Sequence, residues 1–459
     1  MNEIDHIQRR ESGLPAVLRP AQMSMVAIGA VLSYGLITGG GYSVFVAGPW
    51  AIAGYLAAAV LALLFSRCLA EMSAAHPTPG AFGAYAEQYL GGSAGFVVRV
   101  SFYVAVVLII GTEVPLLSYA FKTLAPRVPE DAVVVVALAC LAFINARGAR
   151  WFARVEFALS AFKLSALLIF VGLAAYYALA AGSSAAPPAA AASADGHGWA
   201  DVFPAVWKVF ILATLGYIGL ESLSVAAAET AAPAAAIRRQ MRLTAWAIAG
   251  VSLAVVGVSA ALAYRGVSHI GMPPFFLVLR LTGLPWMGFV FQAIVAVTVL
   301  SVLNSLLYCA SRMLFSLARA GQAPRRLGEI HAGSPALAVV ATALLAGAVY
   351  AAYRWQPLLA GTGATAIASA GLMTVWLSVF AACARFRQRR GAGTRAWDAG
   401  AGALALLAIA ASTWAIEIFH YTLRIGAPSV AALWLLHRLS RLLRQRKRGK
   451  PRAAVQVST

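Results

Sequence analysis

The sequence predicts an all-α integral membrane protein with twelve transmembrane helices. Hydrophobic residues make up 61% of the 459-residue chain and charged residues 11%, and the mean hydropathy is +0.78. A water-soluble fold cannot cover this much apolar surface. Apolar runs near the roughly 20 residues that cross a bilayer as a helix recur along the chain, without β-strand alternation. Because backbone polar groups in lipid must be satisfied internally, a helical bundle is expected.

The twelve apolar runs set the predicted order of elements, and we number them segments 1 to 12. Segments 1 to 5 and 6 to 10 form two halves on either side of a stretch rich in Ala, Ser and Pro, and segments 11 and 12 follow. The predicted segments are 22–46, 48–66, 95–121, 131–146, 155–180, 202–228, 243–264, 286–311, 335–354, 361–384, 399–418 and 421–438.

The same pattern divides the chain into six regions, and no soluble domain is left over. The regions are a cytoplasmic N-terminal tail (1–21), a first five-segment repeat (22–180), an extracellular low-complexity linker (181–201), a second five-segment repeat (202–384), segments 11 and 12 (385–438) and a basic cytoplasmic C-terminal tail (439–459).

Positive charge determines the predicted orientation. The net charge of +20 arises from 36 Lys and Arg against 16 Asp and Glu, and most basic residues lie in the tails and in the loops that share a side with them. Because Lys and Arg concentrate in cytoplasmic loops, both termini are predicted to be cytoplasmic in a multi-pass plasma or inner membrane protein. The tail stretch RQRKRGKPR (444–452) is expected to contact anionic lipids of the inner leaflet. No nucleic-acid partner is expected.

Two apolar segments are interrupted at corresponding positions of the two halves. Segment 1 contains Ser-Tyr-Gly at 33–35, and segment 6 contains Gly-Tyr-Ile-Gly at 216–219. Paired interruptions of this kind are typical of secondary transporters that bind their substrate near mid-membrane. An unwound turn exposes N–H and C=O groups that a polar substrate can satisfy, and a helix N-terminus attracts a carboxylate. Close helix packing is the alternative explanation of these glycines.

Four further stretches carry a resemblance to a known family. They are AGP at 47–49, FARVEFALSAFKL at 152–164, GLESLSVAAAETAAP at 219–233 and NSLLYCASRMLFSLARAGQAP at 304–324. Together they resemble the amino acid transporter branch of the amino acid, polyamine and organocation (APC) superfamily, over segments 1 to 10. The resemblance implies a five-plus-five inverted repeat with discontinuous helices 1 and 6 and two additional C-terminal helices. It implies a permease that moves amino acids by alternating access.

The resemblance also implies a substrate site at the two interruptions. The expected carboxylate site is the backbone of Ser33, Tyr34, Gly35 and Leu36, and the expected amino-group site is formed by carbonyls around Gly216, Tyr217, Ile218 and Gly219. The usual small Gly, Ser/Thr, Gly triplet of the family is Ser-Tyr-Gly in this chain. Tyr34 is therefore expected either to line the pocket or to narrow it.

Ionisable residues inside apolar segments are candidates for coupling or gating. Lys163 in segment 5 would cost about 2.5–3.5 kcal/mol at mid-membrane, so it should face a partner or a cavity. The resemblance places Lys163 near the first interruption, where related sodium-driven transporters hold a cation. We expect Lys163 to couple transport to protons or to replace the coupling ion, and a structural cation bonded to carbonyls of segment 1 is the alternative.

Four glutamates complete the set of membrane carboxylates that we interpret. Glu221 is expected to gate the second interruption, to bind the substrate amine or to tie helices together. Glu113 is expected to handle protons or substrate, or to make an interhelical hydrogen bond. Glu156 and Glu229 lie near predicted segment ends, where ordinary ion pairing accounts for them.

The predicted function is amino acid uptake across the plasma membrane, coupled to protons. An exchanger of amino acids or amines is the first alternative, and a nontransporting membrane sensor on the same fold is the second. HExxH and GxxxxGK[ST] patterns are absent from the sequence, and no enzyme activity, cofactor or metal site is predicted. The sequence does not specify which amino acid is carried.

Overall fold

The computed structural model describes residues 3–180, 199–265, 273–391, 397–416 and 419–448. These residues form seventeen α-helices and no β-strand. The first eight are α1 (Glu3–Glu11), α2 (Pro20–Val31), α3 (Tyr34–Ala47), α4 (Ala51–Ala75), α5 (Ala81–Leu90), α6 (Gly92–Leu124), α7 (Glu130–Ala146) and α8 (Ala149–Ala180). The others are α9 (Trp199–Gly216), α10 (Ser222–Ala227), α11 (Ala234–Tyr264), α12 (Pro274–Leu281), α13 (Met287–Arg319), α14 (Ala336–Trp355), α15 (Pro357–Arg389), α16 (Trp397–Ser412) and α17 (Ala427–Arg448).

Seven helical stretches of the described chain are long and apolar enough to cross a membrane. They are Gly40–Ala75, Gly92–Leu124, Ala149–Ala180, Ala234–Tyr264, Met287–Arg319, Ala336–Trp355 and Pro357–Arg389. Shorter apolar helices include α2, most of α9 and α16. The predicted all-α membrane fold is therefore confirmed, whereas the count of twelve crossings stays a prediction. Most of the predicted linker 181–201, the end of the C-terminal tail and residues 417–418 lie outside the described part of the chain.

The bundle has central and peripheral helices. The most apolar stretches of α6, α13 and α15 are 67%, 72% and 72% buried within the protein, against 33% for α8 and α14, so the first three form the centre. Small residues allow the central helices to approach closely. A Cβ at Gly371 of α15, for example, would lie 2.9 Å from the backbone oxygen of Ser101 in α6.

One end of the bundle carries most of the described arginines, and we call it the basic end. It comprises the start of α6, the start of α11 and the ends of α13 and α15, with α5 between them. Arg99 near the start of α6 contacts Ser316 near the end of α13 (Nε to Oγ, 2.9 Å). Arg385 near the end of α15 donates from Nη1 to the Tyr89 carbonyl in α5 at 3.1 Å.

The N-terminal helix α1 fastens onto the basic end through a buried carboxylate. Glu11 is fully buried, and its Oε1 accepts hydrogen bonds from Arg99 Nη2 (3.0 Å) and Ser316 Oγ (2.9 Å). Its Oε2 accepts from Thr78 Oγ1 (2.9 Å) and the Gly80 N–H (2.8 Å). A Cβ at Gly80 would lie 2.3 Å from Oε2, so glycine is needed there. These contacts join α1 to α6, to α13 and to the segment before α5.

A second set of contacts joins the start of α2 to the chain after α10. The N–H groups of Val17 and Leu18 both donate to the Glu229 carbonyl at 2.8 Å, and the Ala231 N–H donates to the Leu18 carbonyl at 3.0 Å. The Glu229 side chain accepts from Arg312 Nε at 2.9 Å, which confirms an ion pair for this residue. Both sets hold the N-terminal part of the chain against the basic end.

Candidate functional site

The first helix break lies between α2 and α3. Helical geometry ends at Val31, Leu32 has φ −74° and ψ 75°, and Ser33 is extended with φ −89° and ψ 175°. The interruption of segment 1 is thus confirmed, but it comprises Leu32 and Ser33 rather than residues 33–35. Tyr34 and Gly35 already belong to the first turn of α3. The side chain of Tyr34 lies outside the described part of the structure.

The second helix break lies between α9 and α10, where the chain turns through 217–221. Gly219 has φ +119°, a conformation that residues with a Cβ rarely adopt. A Cβ there would lie 3.0 Å from the carbonyl carbon of Ala30 and 3.1 Å from the Val31 side chain. The second break therefore packs directly against the last turn of α2, and glycine is required both for its torsion angles and for this close approach.

A cavity of about 340 Å³ lies between the two breaks. Around the first break it is lined by Val31, Ser33, Gly35 and Leu36. The end of α9 contributes Leu212, Ala213 and Gly216, and the second break contributes Tyr217. The remaining lining residues are Tyr42, Ser43, Tyr55 and Ser252. Two opposite helix ends meet here. The N-terminus of α3 has partial positive charge and N–H groups without an intrahelical acceptor, and the C-terminus of α9 has partial negative charge. The cavity can therefore hold a small molecule with separated negative and positive groups.

A second cavity, of about 450 Å³, lies on the other side of the α9 to α10 break. It is lined by Glu113 of α6, Ile218 of the break and residues of α14 and α15 that include Tyr353 and Ser369. The predicted site residues are thus divided. Ser33, Gly35, Leu36, Gly216 and Tyr217 share the first cavity, and Glu113 and Ile218 share the second.

Glu221 fastens the second break to α15. Its side chain is buried, and its Oε2 accepts from the Gly219 N–H at 3.0 Å and from Trp376 Nε1 at 3.2 Å. The Trp376 ring in turn stacks on Phe65 of α4 with a centroid distance of 4.0 Å. Of the roles expected for Glu221, these contacts correspond to the one in which its side chain links two helices.

Lys163 binds the carbonyl that the first break leaves free. In a continuous helix the Gly29 carbonyl would accept from the N–H of residue 33. The Ser33 N–H donates instead to the Val31 carbonyl at 2.7 Å. Lys163 Nζ donates to the Gly29 carbonyl at 2.8 Å and to Ser301 Oγ at 3.1 Å. A fully buried ammonium group on α8 therefore holds the end of α2.

Glu156 is the main functional candidate that the sequence reasoning missed. The prediction of an ion pair near a segment end was wrong, because α8 begins at Ala149 and Glu156 is fully buried two turns inside it. Its Oε1 accepts from Ser301 Oγ (2.6 Å) and Ser160 Oγ (2.7 Å). Its Oε2 accepts from Asn304 Nδ2 at 2.7 Å. The spacing of 156, 160 and 163 places three polar side chains on one helix face, and that spacing was the available signal.

These contacts form one buried polar cluster that we call the α8 cluster, comprising Glu156, Ser160, Lys163, Ser301 and Asn304. Ser301 accepts from Lys163 and donates to Glu156, so one hydroxyl connects the ammonium to the carboxylate. Asn145 of α7 extends the cluster by donating to Asn304 Oδ1 at 2.9 Å. The cluster can hold charge, or pass a proton, directly beside the first break.

Known proteins provide an independent comparison. A family profile described as "Amino acid permease" matches residues 22–433. The gamma-aminobutyric acid permease of Bacillus subtilis (strain 168) is 30% identical over 342 residues, covering 73% of this chain and 72% of that protein. Amino-acid permease RocC of the same organism is 28% identical, covering 83% of each. L-asparagine permease 1 of Mycobacterium tuberculosis (strain ATCC 25618 / H37Rv) is 25% identical, covering 83% of this chain and 79% of that protein.

Solved structures of membrane transporters share the fold. A Na⁺-coupled sialic acid symporter in a substrate-bound outward-open state superposes with a TM-score of 0.58 at 11% identity, covering 88% of this chain and 93% of that one. A manganese transporter of Eremococcus coleocola superposes with a TM-score of 0.53 at 13% identity, covering 92% and 95%.

Proposed function

The chain belongs to the amino acid permease family, and we propose that it is a secondary active transporter that moves an amino acid across the plasma membrane by alternating access. One observation carries the proposal, namely that the two helix breaks pack against each other and line one cavity. The relatives are named for different amino acids, including gamma-aminobutyric acid, asparagine and lysine. An amino group and a carboxylate are what these compounds share.

The cavity suits such a zwitterion because its two helix ends carry opposite partial charges. The substrate carboxylate would bind at the N-terminus of α3, at the N–H groups of Tyr34 and Gly35. The Leu36 N–H, also expected at this site, donates to the Ser33 carbonyl at 3.1 Å. The amino group would bind at the C-terminus of α9, near the carbonyls of Gly216 and Tyr217. A volume of about 340 Å³ lies within the range of small-molecule sites.

Alternating access would require the basic end to open. Both cavities lie in the other half of the bundle, because they are lined by α3, by the start of α4 and by the start of α15. At the basic end, Leu18 pairs with the chain at 229–231 through backbone hydrogen bonds. We therefore assign the contacts of Glu11 and Leu18 to an inner gate that must separate in each transport cycle.

Proton coupling is the finer part of the proposal, and it is supported by the α8 cluster. Lys163 and Glu156 are the two ionisable residues of that cluster, and Lys163 directly bonds the free carbonyl of the first break. A change in the protonation of either residue would alter the contact that holds α2. Exchange of internal for external amino acid is the alternative, and the same geometry would serve it.

Uptake into proteoliposomes tests the proposal. The full chain would be reconstituted and offered radiolabelled γ-aminobutyrate, asparagine, lysine and histidine, each with and without an excess of unlabelled competitor. Saturable, selective uptake is expected for a carrier. A proton symporter accumulates substrate when only a pH gradient is applied, whereas an exchanger requires internal substrate. Absence of uptake and of counterflow across a full amino acid panel would refute transport.

The proposed orientation places both termini in the cytoplasm, with the basic C-terminal tail at the anionic inner leaflet. The concentration of arginines at the basic end supports it through the positive-inside rule. Labelling of single cysteines introduced near residue 10 and near residue 265 tests the orientation in intact cells. A thiol reagent that cannot cross the membrane should label only the cysteine near residue 265. Labelling of the cysteine near residue 10 would indicate the opposite orientation.

A further inference from the structure

A third cavity, of about 430 Å³, lies at the basic end and is unrelated to the two cavities at the helix breaks. It is lined by five arginines together with Glu71 and Phe386. Arg67 comes from α4, Arg238 and Arg242 from the first turns of α11, and Arg387 and Arg390 from the end of α15. Five guanidinium groups around one cavity repel one another unless anions lie between them.

The neighbouring carboxylates do not balance this charge. Arg387 binds Glu71 through Nε at 2.8 Å and Nη2 at 3.0 Å, and it also pairs with Asp398. Arg67 approaches the same two carboxylates at 3.5 Å. Both carboxylates are therefore engaged by two arginines. Arg238, Arg242 and Arg390 have no carboxylate within 4 Å among the residues that the structure describes.

The Phe386 ring helps to hold one of these three guanidinium groups at the cavity. The Arg390 guanidinium lies 4.4 Å from the centroid of that ring, while Arg238 and Arg242 are exposed. Guanidinium groups bind phosphate in bidentate geometry and stack on aromatic faces at the same time. The cavity thus presents three guanidinium groups to an anion from outside the chain.

An apolar surface continues from the arginines along two helices. On α11, Leu243 next to Arg242 is 50% exposed, and Trp246 one turn beyond Arg242 is 64% exposed. On α4, Val60 and Leu56 are 51% and 53% exposed on the turns that precede Arg67. In a membrane-spanning helix such a face contacts acyl chains, and the arginines stand where that face ends, at the depth of lipid headgroups.

We propose that the cavity formed by Arg238, Arg242 and Arg390 binds the phosphoryl group of an anionic phospholipid, whose acyl chains lie along Leu243 and Trp246. The shared chemistry is the phosphoryl group, and a free phosphate is the other source of it. The apolar surface favours the lipid. Such a lipid would bridge α11 and α15 and stabilise the basic end.

Binding to the purified full-length protein tests the proposal. The probes are phosphatidylglycerol, phosphatidylethanolamine and inorganic phosphate, and the readouts are retained lipid by native mass spectrometry and the melting temperature. The test variant is Arg238→Gln/Arg242→Gln. The matched control is Arg325→Gln/Arg326→Gln, which removes two exposed arginines from the same end of the bundle. Near a membrane surface each arginine adds to the free energy of binding an anionic lipid. Loss of two arginines should therefore weaken phosphatidylglycerol binding about thirtyfold.

The expected result is retention of phosphatidylglycerol over phosphatidylethanolamine by the parent and by the control, and loss of that preference in the test variant. Equal retention in the test and control variants would overturn the site. Equal stabilisation by inorganic phosphate alone, lost in the test variant, would overturn the lipid and assign the cavity to a free anion. If the test variant does not fold, Trp246→Ala replaces it, because it should weaken lipid binding without changing the effect of phosphate.

Discussion

Replacement of Gly29 by alanine is the most informative perturbation of the α8 cluster. The new Cβ would lie 2.0 Å from Glu156 Oε1, 2.9 Å from its Cδ and 2.7 Å from Ser305 Oγ. No carbon atom can occupy that space, so either the Glu156 carboxylate or the end of α2 must move. The Gly29 carbonyl that binds Lys163 belongs to the same residue. The substitution therefore disturbs both ionisable groups of the cluster without changing any charge.

The expected cost follows from two contributions. Overpacking of a close-packed interior costs about 1–3 kcal/mol. Displacement of Glu156 weakens its hydrogen bonds with Ser301, Ser160 and Asn304, and a hydrogen bond to a charged group is worth about 1.5–3 kcal/mol. Loss of one such bond on top of the overpacking gives a destabilisation of about 2.5–6 kcal/mol. Uptake should be abolished or reduced to a few per cent of that of the parent.

The assay pairs the melting temperature of the purified protein with uptake in proteoliposomes. Gly172→Ala on α8 is the matched control, because a Cβ at Gly172 meets no atom within 4 Å. In the Glu156→Ala background, Gly29→Ala should destabilise less than it does in the parent, because the clash with Glu156 is then removed and only the approach to Ser305 Oγ remains. The reasoning is refuted if Gly29→Ala melts and transports like the parent, or if the two substitutions destabilise additively.

The remaining predictions concern the breaks and the inner gate. Lys163→Met should abolish uptake driven by a pH gradient in proteoliposomes, because the Gly29 carbonyl loses its cation. Gly219→Ala should cost about 1–3 kcal/mol through backbone strain alone, measured as a lower melting temperature. Glu11→Ala leaves the fully buried Arg99 without this carboxylate and should cost about 3–5 kcal/mol, whereas Glu11→Gln should cost less. Glu87 in α5 is partly buried, which opposes ionisation, but the hydrogen bond from Arg10 and the charge of Arg99 prevail and lower the pKa of Glu87 from 4.5 to about 2. Because that pKa is depressed in the folded state, the stability that Glu87 contributes is present above pH 4.5 and is lost as the pH falls toward 2, so Glu87→Gln should flatten the acid limb of the melting profile.

Two control variants and two contrary outcomes accompany these predictions. Gly250→Ala controls for Gly219→Ala, since a Cβ at Gly250 meets no atom within 4 Å. Glu329→Gln, at an exposed position of the basic end, controls for the Glu11 variants. Uptake by Lys163→Met with the pH dependence of the parent would remove Lys163 from coupling. If the melting temperatures of the Glu11 and Glu87 variants equalled those of the parent at every pH, the N-terminal contacts would not hold the basic end.

Local properties of the sequence were enough to predict the membrane class and both helix breaks. Membrane insertion depends on the summed hydrophobicity of each segment, and that sum is read directly from consecutive residues. A break depends on the backbone preferences of its own few residues, so Ser33 and Gly216 to Gly219 marked the two sites before any contact was known. The packing of Gly219 against Ala30 is consistent with that pairing but was not visible in the sequence.

Only the tertiary structure showed which charged residues are buried together. Two of the three hydrogen-bond donors to Glu156 come from α13, 145 and 148 residues further along the chain, and Glu11 binds Ser316, which lies 305 residues away. No local pattern specifies such contacts, because the free energy of a buried carboxylate depends on donors that folding brings from distant segments. The sequence by itself therefore determined where the helices run and where they break. The tertiary structure decided which charges face one another across them, since that depends on how the helices pack.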